Sequence, residues 1–101
     1  MFYTYIIYNK LRNKIYTGFT ANIVKRLQRH NSIVPNKTTS FTSKNNGTWE
    51  LIYFEKFSSR TKARKRERWL KSGIGREFVK ENKNRWIHAQ PQLVDPPKAD
   101  F

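Results

Sequence analysis

Residues 2–18 have the sequence FYTYIIYNKLRNKIYTG, and this stretch decides the fold. Its first seven residues are all aromatic or β-branched, which predicts a short strand buried on both faces. Residues 9–14 are polar and typical of a turn, and residues 15–18 predict a second, shorter strand. The two strands together predict an antiparallel hairpin.

Helices and a third strand are predicted beyond the hairpin. They are a helix from the N-cap Asn22 to about Asn31, a strand at Trp49–Phe57, a helix from about Arg60 to Ser72 that Gly73 ends, and a helix from about Arg76 to Trp86. The polar segment from Ser32 to Thr48 is too long for a plain connection, so we expect a mobile segment or a contact loop. The order β-β-α-β-α-α predicts an α+β fold, in the broad α/β class, with a three-stranded antiparallel sheet flanked by helices.

The chain of 101 residues has room for one domain, because a second would lack residues for its own core. We place this domain at residues 1–88 and an irregular, proline-containing tail at residues 89–101. The longest apolar run, at residues 2–8, is too short to cross a bilayer, and no basic stretch precedes it. We therefore expect a cytoplasmic protein with no membrane partner.

The charge of the chain points to a polyanionic partner. Lys and Arg number 21 against 7 Asp and Glu, a formal net charge of +14. Nucleic acid is the first choice and an anionic membrane the second, and a merely solubilising surface does not need so large an excess. Phosphate contacts alone would make binding salt dependent without sequence preference. The lack of cysteine excludes disulfides, thiolate metal sites and cysteine nucleophiles.

A carboxylate interrupts the only apolar stripe of the helix predicted from Arg60. Ala63, Glu67, Leu70 and Ile74 fall on one narrow stripe of that helix. A buried carboxylate without a partner is costly, so Glu67 needs a cation, a metal or a cleft. An ion pair with a neighbouring arginine and a functional role are about equally supported by the pattern.

The first predicted helix carries Arg26 and His30 one turn apart, with His30 on the same side as Ile23 and Leu27. Such a pair can converge on a phosphate, to which the arginine donates two hydrogen bonds. The alternative is a solvated helix edge beside the core.

Four tyrosines cluster in the hairpin, and most tyrosines in strands are packing residues. A hydroxyl at a cleft could instead orient or deprotonate a water molecule if nearby positive charge, such as that of Arg26, lowers its pKa. The chain has no glycine-rich phosphate loop and no Cys/His cluster for zinc. A Ser-His-Asp arrangement would need an aspartate from the tail, which disfavours it.

These residues resemble the GIY-YIG nuclease domain, above all its small stand-alone bacterial members. Residues 3–5 (YTY) correspond to the first signature of the family, and residues 16–18 (YTG) to the second. Residues 16–31 are similar to the second strand, turn and first helix of the family, and Glu67 to its acidic metal ligand. The likeness covers about residues 2–80.

The chain departs from the signatures at three positions. Tyr3 stands where the first signature has glycine, and Thr4 and Thr17 occupy the middle positions of the two signatures. The two signature tyrosines and Gly18 are kept, so the departures do not remove the expected chemistry. Some relatives have a late asparagine, for which Asn82 and Asn84 are both candidates.

The resemblance implies an endonuclease that hydrolyses DNA phosphodiester bonds with one Mg²⁺ or Mn²⁺ ion. Glu67 would hold the ion, Arg26 would brace the scissile phosphate, and Tyr5 or Tyr16 would activate the water beside His30. We favour Tyr5 as the base, although the sequence does not decide. The residues expected to contact DNA are Gly18, where backbone can approach the substrate, and Lys25, Arg29, Lys37, Arg64, Arg68 and Lys71.

The expected role is DNA repair or recombination, with branched or damaged DNA as substrate. Two alternatives to an enzyme stay open. One is a non-catalytic, basic nucleic-acid-binding module, in which Glu67 pairs with an arginine and the aromatic residues only fill the core. The other is a basic protein that docks acidic proteins or RNA.

Overall fold

The computed structural model describes residues 1–31 and 47–89. Within these ranges the order of elements is β-β-α-β-α-α, which confirms the predicted fold class. The strands are β1 (Phe2–Asn9), β2 (Lys14–Thr20) and β3 (Trp49–Phe57), and the helices are α1 (Ile23–His30), α2 (Arg60–Leu70) and α3 (Gly73–Ala89). Most of the predicted polar segment and nearly all of the predicted tail lie outside the described residues. No helix in the described ranges is long and apolar enough to cross a membrane.

The strands form one antiparallel sheet in the order β2-β1-β3, so β1 is central and β2 lies at an edge. β1 is buried from Thr4 to Asn9, which confirms the prediction that both of its faces are covered. In the register of the hairpin, Tyr5 pairs with Gly18 and Ile7 with Tyr16. Paired residues share a face of the sheet, so the two signature stretches of the sequence lie side by side.

The helices cover the two faces of the sheet separately. On one face, Tyr5 and Ile7 pack with Trp49 and with the apolar side of α1. On the other face, Ile6 packs with Leu70 of α2 and Val79 of α3. Because side chains alternate along a strand, β1 supplies both cores from consecutive residues. The edge strand β2 therefore lies between α1 on one side of the sheet and α2 on the other.

The boundary between the last two helices differs from the prediction. Helix α2 ends at Leu70, and α3 begins at Gly73, so this glycine starts a helix rather than ending one. Ser72 explains the early start, because its hydroxyl accepts a hydrogen bond from the Gly75 amide at 3.3 Å, as an N-cap does. Ile74 is 72% exposed, so the predicted apolar stripe does not extend to it.

Candidate active site

Helix α1 is fixed at both ends. Asn22 is its N-cap, as predicted, and the side chain accepts a hydrogen bond from the Lys25 amide at 3.0 Å. At the other end the Asn31 amide group forms two hydrogen bonds with the backbone of Trp49, one to the carbonyl (3.0 Å) and one from the N–H (2.7 Å). These bonds tie α1 to the start of β3 and so set the position of His30.

Tyr5, Tyr16 and His30 form a cluster of three rings. The Tyr5 hydroxyl and Nε2 of His30 are hydrogen-bonded at 2.9 Å. The ring centres of Tyr16 and His30 lie 5.0 Å apart, and those of the two tyrosines 6.3 Å apart. Tyr5 is only 2% exposed, whereas Tyr16 is half-buried. The structure thus brings these predicted site residues together, with Tyr5 the deepest of them.

Burial and charge hold Tyr5 and His30 in their neutral forms. Burial raises the pKa of the Tyr5 phenol, with smaller opposing contributions from the nearby Arg26 guanidinium. Burial also lowers the pKa of His30 from its ordinary 6.5 to about 4, aided by the positive charges of Arg26 and Arg29. At neutral pH the pair is a phenol beside an uncharged imidazole.

Gly18 makes room for the Tyr5 hydroxyl. A Cβ atom at this position would lie 2.7 Å from the hydroxyl oxygen and 3.0 Å from the Tyr16 ring, closer than real Cβ contacts allow. The sequence suggested that this glycine lets backbone approach the substrate. The structure adds that the space of the missing side chain is already filled by Tyr5.

Helix α2 is attached to the centre of the sheet by Thr4, one of the residues that depart from the family signature. The fully buried Thr4 hydroxyl donates to the Ala63 carbonyl at 2.6 Å. Ala63 lies one turn before Glu67, and Arg60 lies two turns before it on the same side of the helix. The hydrogen bond therefore fixes the position of α2 along the sheet, and with it the position of Glu67 at the edge of the sheet.

A cleft of about 330 Å³ lies at the free edge of β2. Among the residues that line it are Tyr16 and Gly18 from β2, Arg26 from α1, and Arg60 and Glu67 from α2. Residues from distant parts of the chain thus converge on one hollow. Arg60 was not among the predicted site residues, although its spacing of seven residues from Glu67 was a usable signal.

Glu67 has a cation partner, but not an arginine. Its Oε2 atom is 2.9 Å from Nζ of Lys71, and the side chains are 15% and 53% exposed respectively. Of the two alternatives for Glu67, the ion pair with a neighbouring arginine is therefore wrong, since the partner is Lys71; the adjacent Arg66 pairs with Glu55 (Nη2–Oε2 3.0 Å). Within the described residues, Oε1 of Glu67 forms no hydrogen bond, which leaves this oxygen for a ligand.

The predicted DNA contacts are dispersed. Besides Gly18 in the cleft and Lys71 on Glu67, four of them are exposed side chains outside the cleft lining: Lys25, Arg29, Arg64 and Arg68. Lys37 lies outside the described residues.

Neither candidate for the late asparagine lines the cleft. Asn82 is buried in α3, where its amide donates to the Phe78 carbonyl at 2.9 Å. The side chain of Asn84 is exposed on the same helix.

Comparisons with known proteins show the family of the chain. The family model of the GIY-YIG catalytic domain matches residues 1–82. The chain is 37% identical over 71 residues to UPF0213 protein CPE1444 of Clostridium perfringens, covering 70% of this chain and 71% of that protein. It is also 37% identical over 70 residues to UPF0213 protein SH2523 of Staphylococcus haemolyticus, covering 69% and 79%. No solved structure matches. On these grounds the chain belongs to the GIY-YIG family of nuclease domains.

Proposed function

We propose that the protein is a metal-dependent endonuclease that hydrolyses phosphodiester bonds in DNA. Membership of the family implies nuclease chemistry and a nucleic-acid substrate. The observation that carries the proposal is the convergence of Arg26, Tyr16 and Glu67 in one cleft, although they come from three different elements. A phosphodiester in such a cleft would meet a guanidinium, a phenol and a carboxylate together. Repair or recombination stays our prediction for its biological role.

The donor set of the cleft suits one hard divalent cation. Within the described residues no three His, Cys, Asp or Glu side chains group together, so Glu67 is the carboxylate that would hold the ion. Mg²⁺ commonly binds through one or two carboxylates and completes its shell with waters and phosphate oxygens. When bound, Mg²⁺ or Mn²⁺ would neutralise charge on the phosphate and stabilise the departing oxygen.

In this proposal Arg26 binds the scissile phosphate. Its guanidinium can donate two parallel hydrogen bonds to phosphate oxygens. Arg60, which lies over the Phe19 ring at 5.6 Å, supplies a second positive charge to the same cleft. Together they stabilise the negative charge that grows on the phosphate during hydrolysis.

We assign the contact with the attacking water to Tyr16, against our sequence-based preference for Tyr5. Tyr16 lines the cleft, while Tyr5 is buried behind it and bonded to His30. Burial raises the pKa of Tyr5, so its phenol stays protonated at neutral pH and has no phenolate form with which to accept a proton from water. In this assignment Tyr5 and the neutral His30 pack against the Tyr16 ring and hold it in position at the cleft.

The proposal is tested by nicking of a supercoiled plasmid and cleavage of branched oligonucleotides with Mg²⁺ or Mn²⁺. We expect Glu67→Gln to abolish cleavage but to retain DNA binding in EDTA, because the lost charge is negative. The matched control is Glu81→Gln, which removes an exposed acid of α3 and should cleave normally. Undiminished cleavage by Glu67→Gln would refute the role of this residue.

The tyrosine assignment is a second arm of the same assay. Removing the Tyr16 hydroxyl in Tyr16→Phe should lower the cleavage rate by about 10²-fold or more, the usual scale for acid–base groups. Tyr5→Phe should have a smaller effect, since Tyr5 does not line the cleft and its hydroxyl interacts with His30 and Arg26 behind it. A larger loss in Tyr5→Phe than in Tyr16→Phe would restore Tyr5 as the base.

One observation favours the non-catalytic binding module. The Glu67–Lys71 ion pair gives the half-buried acid a partner without any metal. If the module is correct, the wild-type protein binds DNA with a steep salt dependence and leaves every substrate intact in both metals.

A further inference from the structure

A second groove, of about 400 Å³, lies beside the cleft. Its walls include Ile15 and Thr17 of β2, which alternate with the cleft residues Tyr16 and Gly18 along the strand. The groove therefore opens on the face of β2 opposite to those two residues. None of its described lining residues is acidic. Four of them are cations: Lys71, Arg76, Lys80 and Lys83.

One face of α3 supplies three of the four cations. Arg76, Lys80 and Lys83 are four and three residues apart, the spacing of neighbours on a helix surface. Like charges at this spacing destabilise a helix. Arg76 also lies in the first turn, where the helix dipole disfavours a positive charge and where α3 has no acidic residue. The positive charges on this face therefore lower the stability of the helix that carries them. Such a cost is expected where the charges serve to bind a polyanion.

The cations of α3 differ in the interactions that they form within the protein. Nζ of Lys83 donates to Oδ1 of Asn13 at 3.3 Å and lies 5.5 Å from the Tyr8 ring centre, so its position is set by the hairpin. Arg76 and Lys80 are exposed and form no ion pair within residues 1–31 and 47–89. They are the two cations with the greatest freedom to take a ligand.

Lys71 joins the groove to the cleft. It lines the groove, and its amine is 2.9 Å from the carboxylate of Glu67, which lines the cleft. The two hollows are thus adjacent, and an extended anion can occupy both.

We propose that this groove binds the phosphate backbone of the nucleic-acid strand whose scissile phosphate lies in the cleft. The inference rests on the proposed function for the occupant of the cleft. From Arg76 to Lys83 the helix advances about 10 Å, so the row of cations is long enough to contact more than one phosphate of a strand. A flexible anion chain is the ligand chemistry that fits a row of cations of this length.

The cleft and the groove share helix α2. Arg60 and Glu67 of this helix line the cleft, and Leu70 and Lys71, one turn further along, line the groove. A strand whose scissile phosphate lies in the cleft can therefore continue along α2 into the groove.

The test is binding of labelled oligonucleotides by fluorescence anisotropy in EDTA, across a series of salt concentrations. The probes are a single strand, a flap and a blunt duplex. The variant Arg76→Gln/Lys80→Gln removes the two unpaired groove cations. Its control, Lys65→Gln/Arg85→Gln, removes two exposed cations of α2 and α3 that do not line the groove. Circular dichroism checks that both variants fold.

We expect the groove variant to lose about tenfold in affinity for each probe, with a salt slope lower by about two. The control should stay within about twofold of wild type. Equal losses in both variants would overturn the proposal. Unchanged nucleic-acid binding with lost binding of polyglutamate would assign the groove to an acidic protein and overturn it too.

Failure of this inference is separate from failure of the proposed function. The binding test needs no metal and no cleavage, whereas the proposed function depends on cleavage lost in Glu67→Gln. A groove variant that binds like wild type refutes the groove alone, and an intact plasmid with wild-type protein refutes the enzyme alone.

Discussion

His30 shows how a single side chain links the site to the stability of the fold. Its imidazole is wedged between Tyr5, to which it is hydrogen-bonded, and Tyr16. The flanking cations Arg26 and Arg29 and the burial of the ring all oppose its protonation, so its pKa is about 4 in the folded state. In the unfolded chain the same group titrates near its ordinary 6.5.

This difference predicts a pH dependence of stability. The folded state binds fewer protons than the unfolded state between pH 6.5 and 4, so His30 stabilises the fold fully above pH 6.5 and progressively less as the pH falls to 4. By pH 5 we expect a loss of roughly 1 kcal/mol, discounted because the ring is partly exposed. Urea unfolding at pH 7, 6 and 5 measures it.

A variant without the imidazole isolates this contribution from that of the carboxylates. His30→Gln should flatten the pH dependence, whatever its stability at pH 7. His88→Gln is the matched control, since His88 is exposed and, among residues 1–31 and 47–89, is hydrogen-bonded to the Asn84 carbonyl alone. A slope that is equally steep in His30→Gln and in wild type would contradict the prediction.

At the residue scale, the sequence predicts acids and cations better than their supports. Glu67 was found because a carboxylate on an apolar stripe is anomalous, and this anomaly left a cation, a metal and a cleft open as its surroundings. Asn31 and Thr4 could not be recognised as supports, because their hydrogen bonds reach residues 18 and 59 positions away. Local patterns hold no information about such partners.

At the scale of elements, the contact between α2 and α3 depends on one glycine. A Cβ atom on Gly75 would overlap the Trp69 carbonyl oxygen and lie 2.6 Å from Cα of Leu70. The two helices therefore pack backbone against backbone, and this brings Val79 into the core beside Leu70. The sequence pattern assigned the end of a helix to Gly73, which instead lies at the start of α3 with free space around its Cβ position. The pattern did not reveal the steric role of Gly75.

The two glycines make a matched pair of variants. Gly75→Ala should destabilise the protein by about 2 kcal/mol or more, as overpacking does when backbone has to move. Gly73→Ala should be neutral or stabilising by up to about 1 kcal/mol, because nothing lies within 4 Å of its Cβ position and alanine favours the helix. Urea unfolding followed by tryptophan fluorescence distinguishes them, and equal midpoints would contradict the close packing.

The arrangement of elements was largely predictable, but the boundaries between them were less so. Strand β1 and the hairpin followed from apolar runs and a polar turn, whose length suits an antiparallel pair. The start of α3 was placed about three residues late, because Ser72 caps it through contacts that only the folded turn creates. Which helix covers which face of the sheet also depends on packing between distant residues.

At the scale of the whole molecule, net charge and topology act together. A charge of +14 favours any polyanion, whereas the proposed function places the attack on a phosphate at one position, the cleft at the edge of β2. The sequence predicted the partner class from charge alone. It could not predict that three cations of α3 line a groove beside the cleft, while Lys25 and Arg29 of α1 and Arg64 and Arg68 of α2 lie outside the lining of both hollows. That distribution depends on how the helices pack.

The number of clefts sets the order of products that we expect from a plasmid. The described part of each chain gathers Tyr16, Arg26 and Glu67 once, so one binding event should cut one strand. Supercoiled plasmid should therefore become nicked circles first, and linear DNA should appear after a lag as independent nicks meet on opposite strands. A time course on agarose gels measures this order, with Glu67→Gln as the control for contaminating nucleases. Linear DNA that forms without a lag would mean that two copies act together on the duplex, and would contradict cleavage by single chains.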